Sequence, residues 1–389
     1  MSAAANAAGL GGSIGGSIGD DELIGWLRLT QTLGIGPATC RALLAAFGMP
    51  VAVLAATRDQ QRKIVPLAIV DALRKPPPAT FAPLVARTRA WLAESGNHLV
   101  TLADTRYPPA LLETADPPPL LYVKGRVALL AAATVAIVGS RNATPQGAID
   151  ARRFAESLAA AGQTIISGLA LGIDAAAHEG ALAAGRGGGS TVAVIGTGAD
   201  IVYPSSHRAL ARRIAEHGAI VSELPLGTPA SAHQFPRRNR IIAGMARGVL
   251  VIEAAARSGS LITARLASEC GRDVFAVPGS IHSPLAKGCH QLIRQGAKLV
   301  ESVEDVLDEL QGDVRAPRSR GGPAPSTVRP DDSDDERLIA LLGFDPISSD
   351  ELGTRSGWSP TRLAGLLLDL EMAGRIARLP GGRVQRIVA

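Results

Sequence analysis

Between about residue 95 and residue 312, short runs of apolar, β-branched residues alternate with helix-length stretches of mixed polarity. The runs are Val135–Val138, Thr164–Ile166, Val192–Ile195, Ala219–Val221, Val249–Ile252 and Val274–Val277. Each is apolar at every position instead of every second one, the pattern of a strand covered on both faces. Such strands, separated by helices, predict an α/β fold, a Rossmann-like doubly wound parallel sheet over residues 95–311.

The flanks read differently. Residues 1–19, MSAAANAAGLGGSIGGSIG, lack the bulk to pack and predict a disordered tract. Ser13 and Ser17 each match G-x-S-x-G there, but a nucleophile elbow needs a buried strand before it and a helix after it. Helical spacing begins at Asp20, with Asp20 or Asp21 placed as cap and Leu23, Trp26 and Leu27 on one face. A Gly34-Ile35-Gly36 turn then precedes Pro37, which suits the first turn of a second helix. This looks like a helix-hairpin-helix motif in a small SAM-like helical domain, residues 20–90; the hairpin either only packs or offers its Gly34–Gly36 amides to a phosphate.

Residues 312–336 carry Pro317, Pro323, Pro325, Pro330 and an acidic run from Asp331, and read as a linker. Beyond it, three helical segments and a Pro380-Gly381-Gly382 turn between short strands resemble a winged-helix domain, residues 337–389. Ser359-Pro360 starts the third helix, with Leu363, Leu366, Leu367 and Leu370 along one face. That helix has Arg362 beside Asp369 and Glu371, which suits protein contact or packing better than a DNA groove.

Composition narrows the partners. The chain has 389 residues, 46% of them hydrophobic, so real cores are expected. Its formal net charge of +5 permits a polyanionic partner. Thirty-five of the cations are Arg and 5 are Lys, which favours forked phosphate contacts, although a GC-rich genome gives the same bias. Aromatic residues make up only 3%, too few for a broad stacking platform, so a bound nucleic acid must be held mainly by its phosphates. Three cysteines without a C-x-x-C pair fit a reducing compartment and argue against structural zinc; no apolar stretch is long enough to span a membrane. A cytoplasmic protein is expected.

Ligands of a doubly wound sheet gather at the C-terminal strand ends. Gly139-Ser140-Arg141 follows the first run and precedes a helix near Pro145, predicting an anion site from a close backbone, a hydroxyl and a cation. Ser167-Gly168 opens the next loop and is expected to add amides. Asp174 and His178, one turn apart, read as a structural pair rather than an acid and base. No Lys follows a Gly, which removes a P-loop, and no suitably placed G-x-G-x-x-G exists, so no cofactor is expected. Between Glu223 and Glu253 there is no acidic residue, while Arg237, Arg238, Arg240 and Arg247 fall close together, with Asn239 among them. Charge of one sign attracts phosphate. Those arginines cannot share one helical face, so one or two are expected to make internal or subunit contacts. Phe235 either stacks on a base or joins the core. Ser258-Gly259-Ser260 feeds another helix and suits an oxyanion. Cys289 and His290 diverge on a helix, so no metal site is expected there.

Together the segments VGSR, SGLALGIDAAAH, YPSSHRAL, SELPLGTPASAHQFPRRNRIIAG, SGSLITA, GRDVFAVPGS and KGCHQLIRQGA resemble the DprA (DNA-processing protein A, or Smf) family, in its order, over about residues 95–310. The resemblance implies a non-enzymatic protein that binds incoming single-stranded DNA in natural transformation, shields it from nucleases and helps load the RecA recombinase. It also implies a homodimer through the Rossmann-like domain. Ser140 and Arg141 would carry the family's GSR site, Ser167 and Gly168 its second loop, and Phe235 with Arg237–Arg240 its basic segment. Two alternatives stand beside it. One is a nucleotide phosphoribohydrolase of the LOG, or lysine-decarboxylase-like, type with Glu253 as general acid, although the PGG-x-G-T-x-x-E loop is absent. The other is a protein adaptor whose arginines make subunit salt bridges.

Overall fold

A computed structural model of the chain describes residues 18–185, 188–311 and 334–388. The six apolar runs all form strands: β3 (Thr134–Gly139), β4 (Thr164–Ser167), β5 (Thr191–Val194), β6 (Ala219–Ser222), β7 (Gly248–Ile252) and β8 (Asp273–Ala276). Three further strands join them, β1 (Asn97–Thr101), β2 (Leu120–Gly125) and the two-residue β9 (Lys298–Leu299). The nine-stranded sheet has the order β1-β2-β6-β5-β4-β3-β7-β8-β9. From β6 to β9 every pairing is parallel; β1 and β2 are antiparallel to each other, and β2 to β6. The expected doubly wound parallel sheet is present, and an antiparallel hairpin extends it on one edge.

β3, at the middle of the sheet, is buried along almost its whole length because helices cover both faces. One face packs Ala136, Val138, Val192 and Val249 against the Gln234–Met245 and Ser260–Glu269 helices. The other packs Val135, Ile137, Leu250 and Phe275 against the Pro145–Ala160 and Ile173–Ala183 helices. Each fully buried Val, Leu or Ile stabilises the fold by roughly 1.5–3 kcal/mol relative to exposure, which explains why these runs carry no polar alternation.

The N-terminal helix Asp20–Gln31 is capped by Gly19, so the expected cap at Asp20 or Asp21 shifts by one residue. Asp20, Asp21 and Glu22 fill the first turn instead, where the positive end of the helix favours them. Pro37 opens the second helix behind Gly36, as the pattern predicts. Leu23 and Leu27 pack with Trp91, Leu99 and Tyr122, fastening this helical region to β1 and β2. Apart from Ile18 and Gly19, the small-residue tract expected to be disordered lies outside the described residues.

At the C-terminus the helices Asp334–Leu342, Ser349–Ser356 and Pro360–Met372 pack on a three-stranded sheet of order β10-β12-β11, formed by β10 (Ile347–Ser348), β11 (Ile376–Leu379) and β12 (Arg383–Arg386), which is a winged-helix domain. Ser359 caps the third helix, its Oγ accepting from the Arg362 amide, and Leu363, Leu367 and Leu370 are buried. Asp334–Glu336 form a helical first turn rather than linker; the remainder of the expected linker, 312–333, lies outside the described residues. Val388 N donates to Gln146 Oε1 at 3.0 Å and joins this domain to the Rossmann-like body. Among the described residues, no helix is long and apolar enough to cross a membrane.

Candidate nucleic-acid interface

The chain winds from β3 through β4 and β5 to β6 in one direction, then returns to place β7 on the other side of β3. Loops leaving β3 and β7 must therefore diverge, opening a crevice at their C-terminal ends. A cleft of about 810 Å³ lies there, lined by Gly139–Asn142 after β3, by 257–260 after β7 and by the start of the Gln234–Met245 helix. Gly139 is required by the protein's own packing: a Cβ there would sit 1.8 Å from Ile252 O and 2.6 Å from Ile173 Cγ1. The close approach expected to serve a ligand thus serves the β3–β7 contact.

Within the cleft, the Arg141 guanidinium carbon lies 5.4 Å from the centroid of the Phe235 ring. Arg141 and Arg257, both exposed, have no carboxylate within ion-pair distance among the described residues. Tyr203 stands 5.8 Å from Phe235, centroid to centroid, with the rings tilted by 36°, and is half exposed. Its recruitment was not evident from the sequence, because Tyr203 lies about thirty residues before Phe235 and only the fold brings the two rings together. Ser140 is mostly buried, its Oγ accepting from Asn142 N at 3.1 Å. Ser258 and Ser260 share a hydrogen bond of 2.7 Å at the start of the Ser260–Glu269 helix, whose N-terminus favours negative charge. Gly259 has open space where a Cβ would stand. Asn239 Nδ2 donates to Gly259 O at 3.5 Å and tethers this loop to the basic helix.

Arg238 and Asp174 also line the cleft, and both hold its loops together from within. Arg238 is 6% exposed, and its guanidinium donates to Gly168 O and Val194 O, tying together the loops after β4 and β5. Burial lowers its pKa to about 10, opposed by the charge of Asp174. Asp174 accepts from Gly168 N at 3.1 Å and Ala170 N at 3.3 Å, while burial pushes its carboxyl up against the opposing field of Arg238. Ser167 Oγ donates to Ile137 O at 2.6 Å. The hydroxyl of Ser167 and the amide of Gly168 are thus taken up internally, which corrects their expected place in an anion site. Helix geometry and strand order put them behind the cleft wall. His178 Nε2 accepts from Leu169 N at 3.3 Å, so Nδ1 carries the proton and donates to Thr191 Oγ1 at 2.7 Å. That makes His178 a structural residue, as its spacing suggests.

The arginine cluster divides. Arg240 pairs with Glu223 and donates to Asp116 O, with its side chain 18% exposed. Arg237 lies 3.8 Å from Glu223 and is half exposed. The acid-free stretch is therefore not free of compensation: Glu223, Asp116 and Asp174 supply it from elsewhere in the fold, a correction invisible in local sequence. Glu253, at φ 50°, accepts from Thr144 N at 2.8 Å and from Thr144 Oγ1 at 2.5 Å. Its carboxylate secures the start of the Pro145–Ala160 helix and is not among the residues lining the cleft. Cys289 Sγ donates to Val251 O while His290 Nε2 meets Gly279 O, so the two diverge as expected. Among the described residues no group of three or more His, Cys, Asp or Glu side chains could hold a metal ion.

A Rossmann-like sheet whose switch-point cleft sets an uncompensated arginine against an aromatic ring defines a class, an α/β protein with an open basic cleft at its strand ends. Comparison with known proteins specifies it further. Residues 98–311 match the family model described as DNA recombination-mediator protein A, residues 20–64 a DprA-like N-terminal HHH domain, and residues 322–382 a DprA winged helix domain. The chain belongs to the DNA recombination-mediator protein A (DprA) family. Protein Smf of Escherichia coli K12 is 44% identical over 300 residues, covering 76% of this chain and 79% of that protein. DNA processing protein DprA of Streptococcus pneumoniae is 49% identical over 211 residues, 54% of this chain and 73% of that protein. The X-ray structure of DprA from Streptococcus pneumoniae superposes with TM-score 0.60 at 38% identity, covering 76% of this chain and 99% of that one. A structure of DNA processing protein A from Helicobacter pylori, described for its single-stranded DNA binding mode, superposes with TM-score 0.50 at 30% identity over 55% of this chain and 96% of that one.

Proposed function

We propose that the switch-point cleft binds single-stranded DNA. The observation that carries this reading is the Arg141 guanidinium 5.4 Å from the Phe235 ring, with no carboxylate partner, in a cleft at the strand ends. Phosphates dock on Arg141, Arg257 and the N-terminus of the Ser260–Glu269 helix, and a splayed base meets Phe235 and Tyr203. Paired, stacked bases of a duplex cannot enter, so preference for single strands follows from shape. Arg238, Asp174, Ser167 and Gly168 act by holding the loops in place, and Arg237 remains at the rim.

The fuller reading rests on family membership. It is a non-enzymatic, cytoplasmic DNA-processing protein of natural transformation, which shields the incoming strand, hands it to the RecA recombinase and works as a homodimer through the Rossmann-like domain. Its divisions are residues 20–90, 95–311 and a winged-helix domain that begins at Asp334. The engagement of Glu253 by Thr144 supports the non-enzymatic reading over nucleotide hydrolysis.

Fluorescence anisotropy with labelled oligo-dT and a matched duplex, over a salt series, tests the proposal. Wild type should prefer the single strand, and Arg141→Ala should weaken that binding and reduce the log–log salt slope by about 0.7. Absence of binding at low salt, or an Arg141→Ala protein indistinguishable from wild type, overturns it.

A further inference from the structure

Behind the loop that closes the switch-point cleft lies a second cleft of about 440 Å³, between the Rossmann-like body and the winged-helix domain. Leu285 lines both, so the two are neighbours. Its far wall is Phe344, Asp345, Pro346 and Gln385 of the winged-helix domain. Phe344 is 68% exposed, and the Arg386 guanidinium lies 4.9 Å from its ring centroid. Arg386 has no carboxylate within ion-pair distance among the described residues. The same pairing of an uncompensated arginine with an aromatic face occurs at Arg141 and Phe235 in the first cleft.

Gln385 adds an independent sign. It is 5% exposed, its Nε2 donates to Phe344 O at 3.3 Å, and its Oε1 has no hydrogen-bond partner among the described residues. A buried acceptor of this kind costs about 1–3 kcal/mol unless a donor arrives. Base exocyclic amines and ring N–H groups are such donors. The opposite wall includes the carboxyls of Asp150 and Glu253, which also accept from Gln146 Nε2 and from Thr144. Burial raises the pKa of both. An acceptor-rich interior with an arginine and a ring at its mouth suits a base directed inward and a phosphate kept outside.

We propose that the cleft between the two domains is a second nucleotide station, in which a single DNA strand leaving the first cleft stacks a base on Phe344 and sets its phosphate against Arg386. The inference rests on the first cleft being a single-strand site. The winged-helix domain then contributes to the strand path through its β12 edge and the loop before β10, and its third helix takes no part. Gln146, which accepts from Val388 N, fixes the spacing between the stations.

The test uses the full chain with two labelled single-stranded oligonucleotides, one of about 6 nucleotides that fills the first cleft alone and one of about 20 that reaches both. Phe344→Ala and Arg386→Ala should each weaken binding of the longer oligonucleotide, Phe344→Ala by about fivefold or more, and leave the shorter one unchanged. Phe344→Trp should restore the longer one, because it replaces the stacking face and not the shape. Arg141→Ala should weaken both. Wild type that binds both oligonucleotides while Phe344→Ala and Arg386→Ala match it on the longer one overturns the second station alone. Wild type that binds neither overturns the first cleft and the second with it.

Discussion

Replacing Arg238 by Met separates a supporting residue from a DNA ligand. The side chain sits in the middle of the basic segment, yet it is 6% exposed and bridges the Gly168 and Val194 carbonyls. Met fills much of the aliphatic stem but supplies neither hydrogen bond, and hydrogen bonds to a charged donor are worth about 1.5–3 kcal/mol each. It also leaves the Asp174 carboxylate buried without its nearby positive field, and removing one member of a buried charge arrangement costs about 3–5 kcal/mol. Local relaxation and rehydration offset part of these losses, so we expect Arg238→Met to destabilise by about 3–5 kcal/mol. Urea denaturation followed by far-UV circular dichroism reads this as a lower midpoint at unchanged slope. A loss below about 1 kcal/mol, accompanied by weaker binding of oligo-dT, would place Arg238 on a phosphate and refute the assignment.

Further outcomes follow from other contacts. Phe235→Leu keeps an apolar side chain in place but removes the ring, and oligo-dT affinity should fall by about 1–3 kcal/mol with no change in melting temperature, measured by anisotropy beside calorimetry. Gly139→Ala forces a Cβ to 1.8 Å from Ile252 O, so β3 and β7 must separate; a destabilisation of about 3 kcal/mol or more is expected in urea denaturation, and a neutral result contradicts the packing described. His178 is held to about 3 by burial, below its ordinary value of 6.5, so its contribution to stability is complete above pH 6.5 and lost as pH falls from there toward 3. Stability measured from pH 7 to pH 4 should decline by up to about 1.4 kcal/mol per unit from this residue. The raised carboxyls of Asp174 and Glu253 act in the opposite sense, because their stabilisation is present at low pH and lost as pH rises, so the His178→Asn difference curve isolates the histidine.

Where a strand is buried on both faces, its residues announce it. Val135–Val138 and Val249–Ile252 read as strands because no position in them tolerates a polar side chain. β1 and β2 escaped that reading: β1 mixes Asn97, His98 and Thr101 with Leu99 and Val100, and β2 is a short run directly after Pro117–Pro119. Their antiparallel pairing is a long-range decision that local pattern does not record. Asp20 looked like a helix cap from composition alone, but the backbone begins the helix one residue earlier, at Gly19.

The site shows the same division. Arg141, Phe235 and Ser258–Ser260 were legible because a loop between an apolar strand and a helix must lie at a strand end, whatever the rest of the fold does. Tyr203 became a neighbour of Phe235 only when β5 took its place in the sheet. The sequence by itself determined that a doubly wound sheet would form, that small and basic residues would line its C-terminal ends, and that an arginine-rich segment would lie nearby. Tertiary structure alone decided which arginines remain available. Glu223, Asp116 and Asp174 are distant in sequence from the charges they compensate, and Coulombic pairing depends on separation in space, so Arg238 and Arg240 became internal ties while Arg141 stayed free to meet a ligand.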